Sequence, residues 1–382
     1  MTSQTPRRAR RRGRTAGVFA MAAAVVASPV LAAAPATADA PGYHLYVHGF
    51  LSDGLIGFHA TDTAMPVPIP GAARSGIAAW PQAASPDGRL LYVASGAPAQ
   101  LLAYTIEPDG RLTPLPGAAL PLPDIPVDIA FAPDGRHAYL VLGVTNATVL
   151  PVTVTAGGAP VPAGPPVSFG ASADGVSSAV VSPDGRHLYA ASYLLDQIVL
   201  FDVDSEGRVS GERQRIGTGS GPIYPTITPD GRHLYIANER GTSLSGYAIA
   251  ADGTLAELPA SPFPAGQLPH VMSVTPDGTH LYVPNMGSNK VSAYTVADDG
   301  TLLPLPDAMV GDGPLGAQPE ATAMSPSGDA VWVFATDPAR AGQNTLRRYR
   351  IGAGGVLTQE SVTTVDTGTR VADGRTLTLV PA

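Results

Sequence analysis

Glu239, His270, Glu320 and Arg375 are the residues of this chain whose types suit one reaction. A histidine or a carboxylate can take a proton from water, and a carboxylic acid can return one. An arginine can hold a substrate carboxylate or steady an oxyanion as it forms. Together they suit the opening of a lactone or related cyclic ester. Asn238, Asn285, Tyr193 and Trp80 add amides and aromatic faces that can orient a small molecule. Glu239, Glu320, Asn238 and Asn285 also make an oxygen-rich set that suits calcium, although the reaction above requires no metal. Cysteine is absent, which excludes thiol nucleophiles, disulfides and thiolate metal sites. Phosphate loops, nucleophile elbows and zinc motifs are absent too.

These residues are far apart in the chain, so a repeating scaffold must bring them together. One phrase recurs, first seen complete as Ser85-Pro86-Asp87-Gly88-Arg89-Leu90-Leu91-Tyr92. Its glycine returns as Gly88, Gly135, Gly185, Gly231, Gly278 and Gly328, at steps of 47, 50, 46, 47 and 50 residues. An aromatic follows four residues after each: Tyr92, Tyr139, Tyr189, Tyr235, Tyr282 and Trp332. Tyr46 is a seventh, 46 residues before Tyr92, without its turn. Such a period marks a radial array of small sheets.

Residues 221–263 show one unit clearly. Strands are predicted over 224–228, 233–237, 243–249 and from 254 to 258. Pro229-Asp230-Gly231 and Asp252-Gly253 supply tight turns, because glycine accepts positive φ and aspartate can bond its own backbone. The outer turn recurs as Asp109-Gly110, Gly157-Gly158, Glu206-Gly207, Asp299-Gly300 and Gly354-Gly355. A lone four-stranded sheet leaves much apolar area exposed. Seven around an axis bury both faces, so the fold class is all-β, a seven-bladed β-propeller over residues 41–382. Residues 376–381 resemble a first strand, and 43–47 a second strand with no first before it. The C-terminus then closes the blade that the N-terminus begins. A competing frame reads Ala372-Asp373-Gly374-Arg375 as another turn phrase.

The repeat also aligns the candidate residues. Six residues before each turn proline stand Trp80, Val127, Ser177, Ile223, His270, Glu320 and, in the preferred frame, Arg375. Four residues after each aromatic stand Phe50, Gly96, Gly143, Tyr193, Glu239, Met286 and Thr336. Both sets line one mouth of the central channel. Glu239, His270, Glu320 and Arg375 then form a charged arc over four consecutive blades. Free variation at loop positions would also leave such an arc. His137, His187, His233 and His280 occupy one place in the turn phrase and read as repeat features. His44, His48 and His59 lie on neighbouring strands and offer a weaker metal set. Asn146-Ala147-Thr148 fits a glycosylation sequon.

The first 40 residues read as an export signal rather than as fold. Six arginines between Arg7 and Arg14 precede an alanine-rich apolar stretch, with small-x-small cleavage sites around Asp39. Both the general and the twin-arginine routes fit, and an uncleaved anchor is the alternative. Without those arginines, 17 basic residues face 31 acids, so the mature chain carries about −14. That charge disfavours nucleic acid and anionic lipid. A secreted monomer that binds a small molecule at the channel mouth is expected.

The turn phrase, the aromatic third strand and the Asp-Gly-x-Leu turn resemble the seven-bladed lactonase propellers over residues 43–382. That family includes propeller-type 6-phosphogluconolactonases and carboxymuconate cyclases. Secreted YVTN-type propellers without catalysis carry a similar phrase. The resemblance implies a functional glutamate at Glu239. The family's Gly-Pro-Arg-His appears as Gly221-Pro222-Ile223-Tyr224, and its Ser-Asn-Arg as Pro284-Asn285-Met286. Its histidine-rich segments are replaced by Gly175-Val176-Ser177-Ser178. Two functions follow: a secreted lactonase-like enzyme, or a non-catalytic exported propeller that binds a small ligand, glycan or protein.

Overall fold

The computed structural model describes residues 42–49, 52, 54–71, 73, 77–143, 146–172, 177–311, 316–370 and 374–382. The segment read as an export signal lies outside them.

The recurring phrase builds a self-bonded turn. The Ser85 carbonyl accepts from Gly88 N at 2.8 Å, and Ser85 Oγ accepts from Leu90 N at 3.0 Å. Ser85 Oγ donates to Asp87 Oδ1 at 2.6 Å, and Gly88 takes φ +69°. The pattern repeats from Ser182, Thr228 and Thr275. Each turn fixes the register between a blade's first and second strands.

Seven antiparallel sheets result, each a four-stranded meander, three of them with a short fifth strand. The four main strands of blades 2 to 7 span residues 77–114, 126–162, 178–217, 222–257, 273–309 and 318–370. The blade predicted in detail has strands Pro222–Ile227, His233–Asn238, Ser243–Ile249 and Leu255–Glu257. Blade 1 takes Tyr43–His48, Leu55–Ala60 and Val67–Pro68, and Leu377–Pro381 is its innermost strand. The closing pair runs from Tyr43↔Pro381 to Val47↔Leu377, which selects the first of the two frames. Among the described residues the helices are three short 3₁₀ turns, and none is long and apolar enough to cross a membrane.

The core lies between blades. Trp332, Phe334 and Leu346 of blade 7 pack against Tyr43, Leu45, Val47 and Phe58 of blade 1. The repeat aromatics also act as latches. Tyr46, Tyr92, Tyr189, Tyr235 and Tyr282 each donate to a glycine carbonyl in the next blade's outer turn. The acceptors are Gly110, Gly158, Gly253, Gly300 and Gly355, at 2.7–2.8 Å. Trp332 Nε1 donates to Tyr43 Oη at 2.8 Å across the closing interface. The Tyr139 hydroxyl, at the same repeat position, has no hydrogen-bond partner. The recurrent histidines have a similar structural place. His137, His187, His233 and His280 lie so close to Gly207, Gly253, Gly300 and Gly355 that a Cβ there would overlap the ring.

The innermost strands carry bulges that position the site. In blade 3, Val141 faces Asp128 and Leu142 faces Pro126, so Val127 is the extra residue. In blade 7 the extra residue is Glu320, between Pro319↔Ala335 and Ala321↔Phe334. Blade 5 bulges at Tyr224 and Pro225, and blade 2 at Trp80 and Pro81. A bulge twists its strand and re-aims a side chain.

Candidate active site

His270 stands just before the short first strand of blade 6. Its backbone N donates to Pro284 O at 2.9 Å, which fixes the main chain. Its Nδ1 lies 2.8 Å from the Glu320 carbonyl. A carbonyl only accepts, so Nδ1 carries the proton and the neutral ring keeps its lone pair on Nε2. The bulge at Glu320 makes this contact available. The inner strands of blades 6 and 7 meet alongside it through a parallel bridge between Val271 and Ala321.

The Nε2 face is directed at Glu239. Oε1 of Glu239 lies 3.8 Å from Nε2, and Oε2 of Glu320 lies 4.0 Å from Nδ1. Glu239 follows the second strand of blade 5, and its backbone N donates to Gly221 O at 2.8 Å. Tyr193, from the equivalent loop of blade 4, hydrogen-bonds the Glu239 carboxylate. Burial, and then this carboxylate, push the Tyr193 phenol above its usual range. Arg240 covers the Tyr193 ring at 4.9 Å and pairs with Asp196 at 2.8 Å. His270 and Glu320 are almost fully buried, and Glu239 is the most open of the three. The arrangement can activate a water or hold a polar ligand.

The other expected residues divide. Arg375 is drawn away from the arc. Its Nε lies 3.0 Å from Oδ1 of Asp128, a carboxylate with no solvent exposure. Asp128 also accepts from Ile129 N and Ala179 N, each at 2.9 Å. Burial pushes the Asp128 carboxyl upward against the pull of Arg375. The guanidinium borders a cavity of about 460 Å³, lined also by Pro225, Thr226, Met272 and Met324, from or next to first strands.

Asn238 and Asn285 do not join the mouth. Asn238 Nδ2 donates to Ser243 Oγ and Ser245 Oγ, at 3.0 and 3.1 Å, within its own blade. Asn285 Oδ1 accepts from Gly266 N at 2.8 Å, and its Nδ2 donates to Val283 O at 2.9 Å. Both amides are fully buried and occupied, so the oxygen-rich set does not converge for calcium. Trp80 lies in the strand Ile77–Ala84 at its bulge, and its side chain is outside the described residues. His44 packs against His59, with ring centroids 5.4 Å apart, while His48 is completely buried.

Three residues beside the aligned positions, Asp128, Ser178 and Tyr224, were missed from sequence. Tyr224 has φ +50° and stands edge-on to His270 at 5.0 Å, with Arg375 on its ring at 5.8 Å. Its backbone N donates to Ser178 Oγ at 2.7 Å. Asp128, Ser178 and Tyr224 each stand one residue beyond the aligned position. The available signal was the polar or aromatic neighbour of Val127, Ser177 and Ile223.

Residues 81–267 match the family model described as "Lactonase, 7-bladed beta-propeller". A 6-phosphogluconolactonase of Enterobacter sp. (strain 638) is 31% identical over 173 residues, 44% of this chain and 50% of that protein. Over these residues the chain is similar to the lactonase-type propellers. It spans about half the length of that curated relative. The periplasmic gluconolactonase of Pseudomonas aeruginosa superposes with TM-score 0.72 at 22% identity, covering 89% of this chain and 99% of that one. A candidate 6-phosphogluconolactonase of Bacteroides uniformis ATCC 8492 gives 0.73 at 19%, covering 89% and 100%. At such identities these two establish the seven-bladed propeller fold alone. The family match includes Glu239 and ends before His270, Glu320 and Arg375.

Proposed function

We propose that this lactonase-type propeller hydrolyses a small lactone at the mouth formed by Glu239, His270 and Glu320. The observation that carries the reading is the oriented imidazole, with Nδ1 held by the Glu320 carbonyl and Nε2 facing Glu239 across 3.8 Å. A water near Nε2 gives its proton to that nitrogen while its oxygen attacks the acyl carbon. The ring C–O bond then breaks, and the proton passes from Nε2 to the leaving alkoxide. The product is the hydroxy acid. The two carboxylates stabilise the transient imidazolium, and the Tyr193 hydroxyl positions Glu239. Arg375 takes no part in this scheme, because Asp128 holds it.

A lactone panel, assayed with and without EDTA, tests the reading. His270→Ala or Glu239→Ala should lower kcat/KM by about 10²-fold or more while the fold is kept. Turnover that survives replacement of all three residues by alanine would overturn it. The second reading is ligand binding without turnover. It is favoured by Ile223, Tyr224 and Met286, which stand where the resembled family carries arginine and histidine. Binding at this mouth without hydrolysis of any lactone would establish it.

The protein is further proposed to work outside the cytoplasm, starting near Asp39. The basic head and apolar stretch support this, and a structural neighbour is named a periplasmic gluconolactonase. N-terminal sequencing of exported protein checks it, and an intact Met1 start found only in the cytosol would refute it.

A further inference from the structure

Resting on the reading of this mouth as the lactone site, we propose that its substrate is an uncharged lactone carrying an apolar substituent. Two independent features of the mouth lead there. The first is charge. Glu239 and Glu320 stand within 4.0 Å of His270, so an anionic group beside the imidazole meets two carboxylates. The cations described nearby, Arg240 and Arg375, are bound to Asp196 at 2.8 Å and Asp128 at 3.0 Å. A sugar lactone phosphate is poorly matched to this set.

The second feature is the rim. Leu194 and Leu195, 44% and 46% exposed, directly follow Tyr193, whose hydroxyl holds Glu239. Leu268, 36% exposed, stands two residues before His270 on the other side of the pair. Seven large apolar side chains are exposed among the described residues, and the other four lie on outermost strands. The three leucines therefore mark this mouth. Leu268 also takes φ +51°, a conformation rare for a residue with a large side chain. Its loop is held there, since Met286 N donates to Leu268 O and Gly287 N to Gln267 O, both at 3.0 Å. Strained backbone of this kind collects at ligand clamps. Half-buried Met286 adds a pliable apolar surface beside it.

The test measures kcat/KM of the mature protein on γ-butyrolactone, γ-octalactone and γ-decalactone, with glucono-δ-lactone and its 6-phosphate for comparison. The expected result is a rise of about two- to fourfold per added methylene across the alkyl series, with the phosphate the poorest substrate. Leu268→Ser and Leu194→Ser/Leu195→Ser should flatten that slope. A flat series in the unmodified protein, or preference for the phosphate, would overturn the proposal while leaving the lactone reading standing. If no lactone turns over, that reading fails by itself. Calorimetric binding of cyclic ethers with the same alkyl chains then decides: affinity that rises with chain length supports an apolar ligand, and constant affinity or no binding overturns it.

Discussion

Asp128 and His48 are charge-bearing types placed in the interior, with different consequences. Asp128 has no exposure, and Arg375 is its counter-ion. Arg375→Met would leave a buried carboxylate without its cation, a change that costs about 3–5 kcal/mol. Denaturant unfolding should show that loss, and Asp128→Asn in the same protein should restore part of it. A loss below about 1 kcal/mol would free Arg375 for a ligand role. Both ring nitrogens of His48 lack hydrogen-bond partners, and burial lowers its pKa to about 3. The unfolded chain therefore binds a proton below about pH 6.5 that the folded chain refuses. Stability is complete above that pH and falls by about 1.4 kcal/mol per unit as pH drops toward 3. Replacing His48 by leucine should remove this slope. Thermal midpoints between pH 7 and 4 provide the check, and parallel curves for the two proteins would refute it.

Within the elements, the same hydrogen bond recurs between neighbouring blades, and one exception makes it measurable. Tyr235 donates to Gly300 O at 2.7 Å, whereas the Tyr139 hydroxyl has no partner. Tyr235→Phe leaves a buried carbonyl unpaired and should cost about 1–2 kcal/mol. Tyr139→Phe should cost less than about 0.5 kcal/mol, since it removes a buried hydroxyl that bonds nothing. Equal losses from both would show that packing alone explains the aromatics. This pairing also explains two regularities of the chain at once. The aromatic and the outer-turn glycine recur together because five of the aromatics, Tyr46, Tyr92, Tyr189, Tyr235 and Tyr282, donate their hydroxyls to the next blade's glycine carbonyl. Period and turn type were legible, but the contact between them spans some 65 residues and required the fold.

For the whole molecule, ring closure is the decisive interaction. Leu377–Pro381 supplies the inner strand of blade 1, and Gln82 of blade 2 donates to Tyr46 O and Thr376 O, at 2.6 and 2.9 Å. Removing residues 376–382 would strip Tyr43–Val47 of its inner partner and expose a strand edge. The thermal midpoint should fall sharply, and an unchanged midpoint would count against closure as a source of stability. Blade number, meander and turn chemistry were set by the linear order of residues, whereas two closing frames fitted it and the pairing of Tyr43–Val47 with Leu377–Pro381 decided between them. Hairpin turns and strand alternation are local, and seven repeats leave one way to bury both faces of each sheet. That Glu239 and Glu320 stand within 4.0 Å of His270 agrees with the same repeat, because equivalent positions on a ring converge. Their partners did not follow. Side chains alternate faces at every residue, so a single bulge reassigns which residue enters the channel. Tertiary structure alone set Tyr224 against His270, paired Arg375 with Asp128 away from the arc, and kept Asn238 and Asn285 inside their blades.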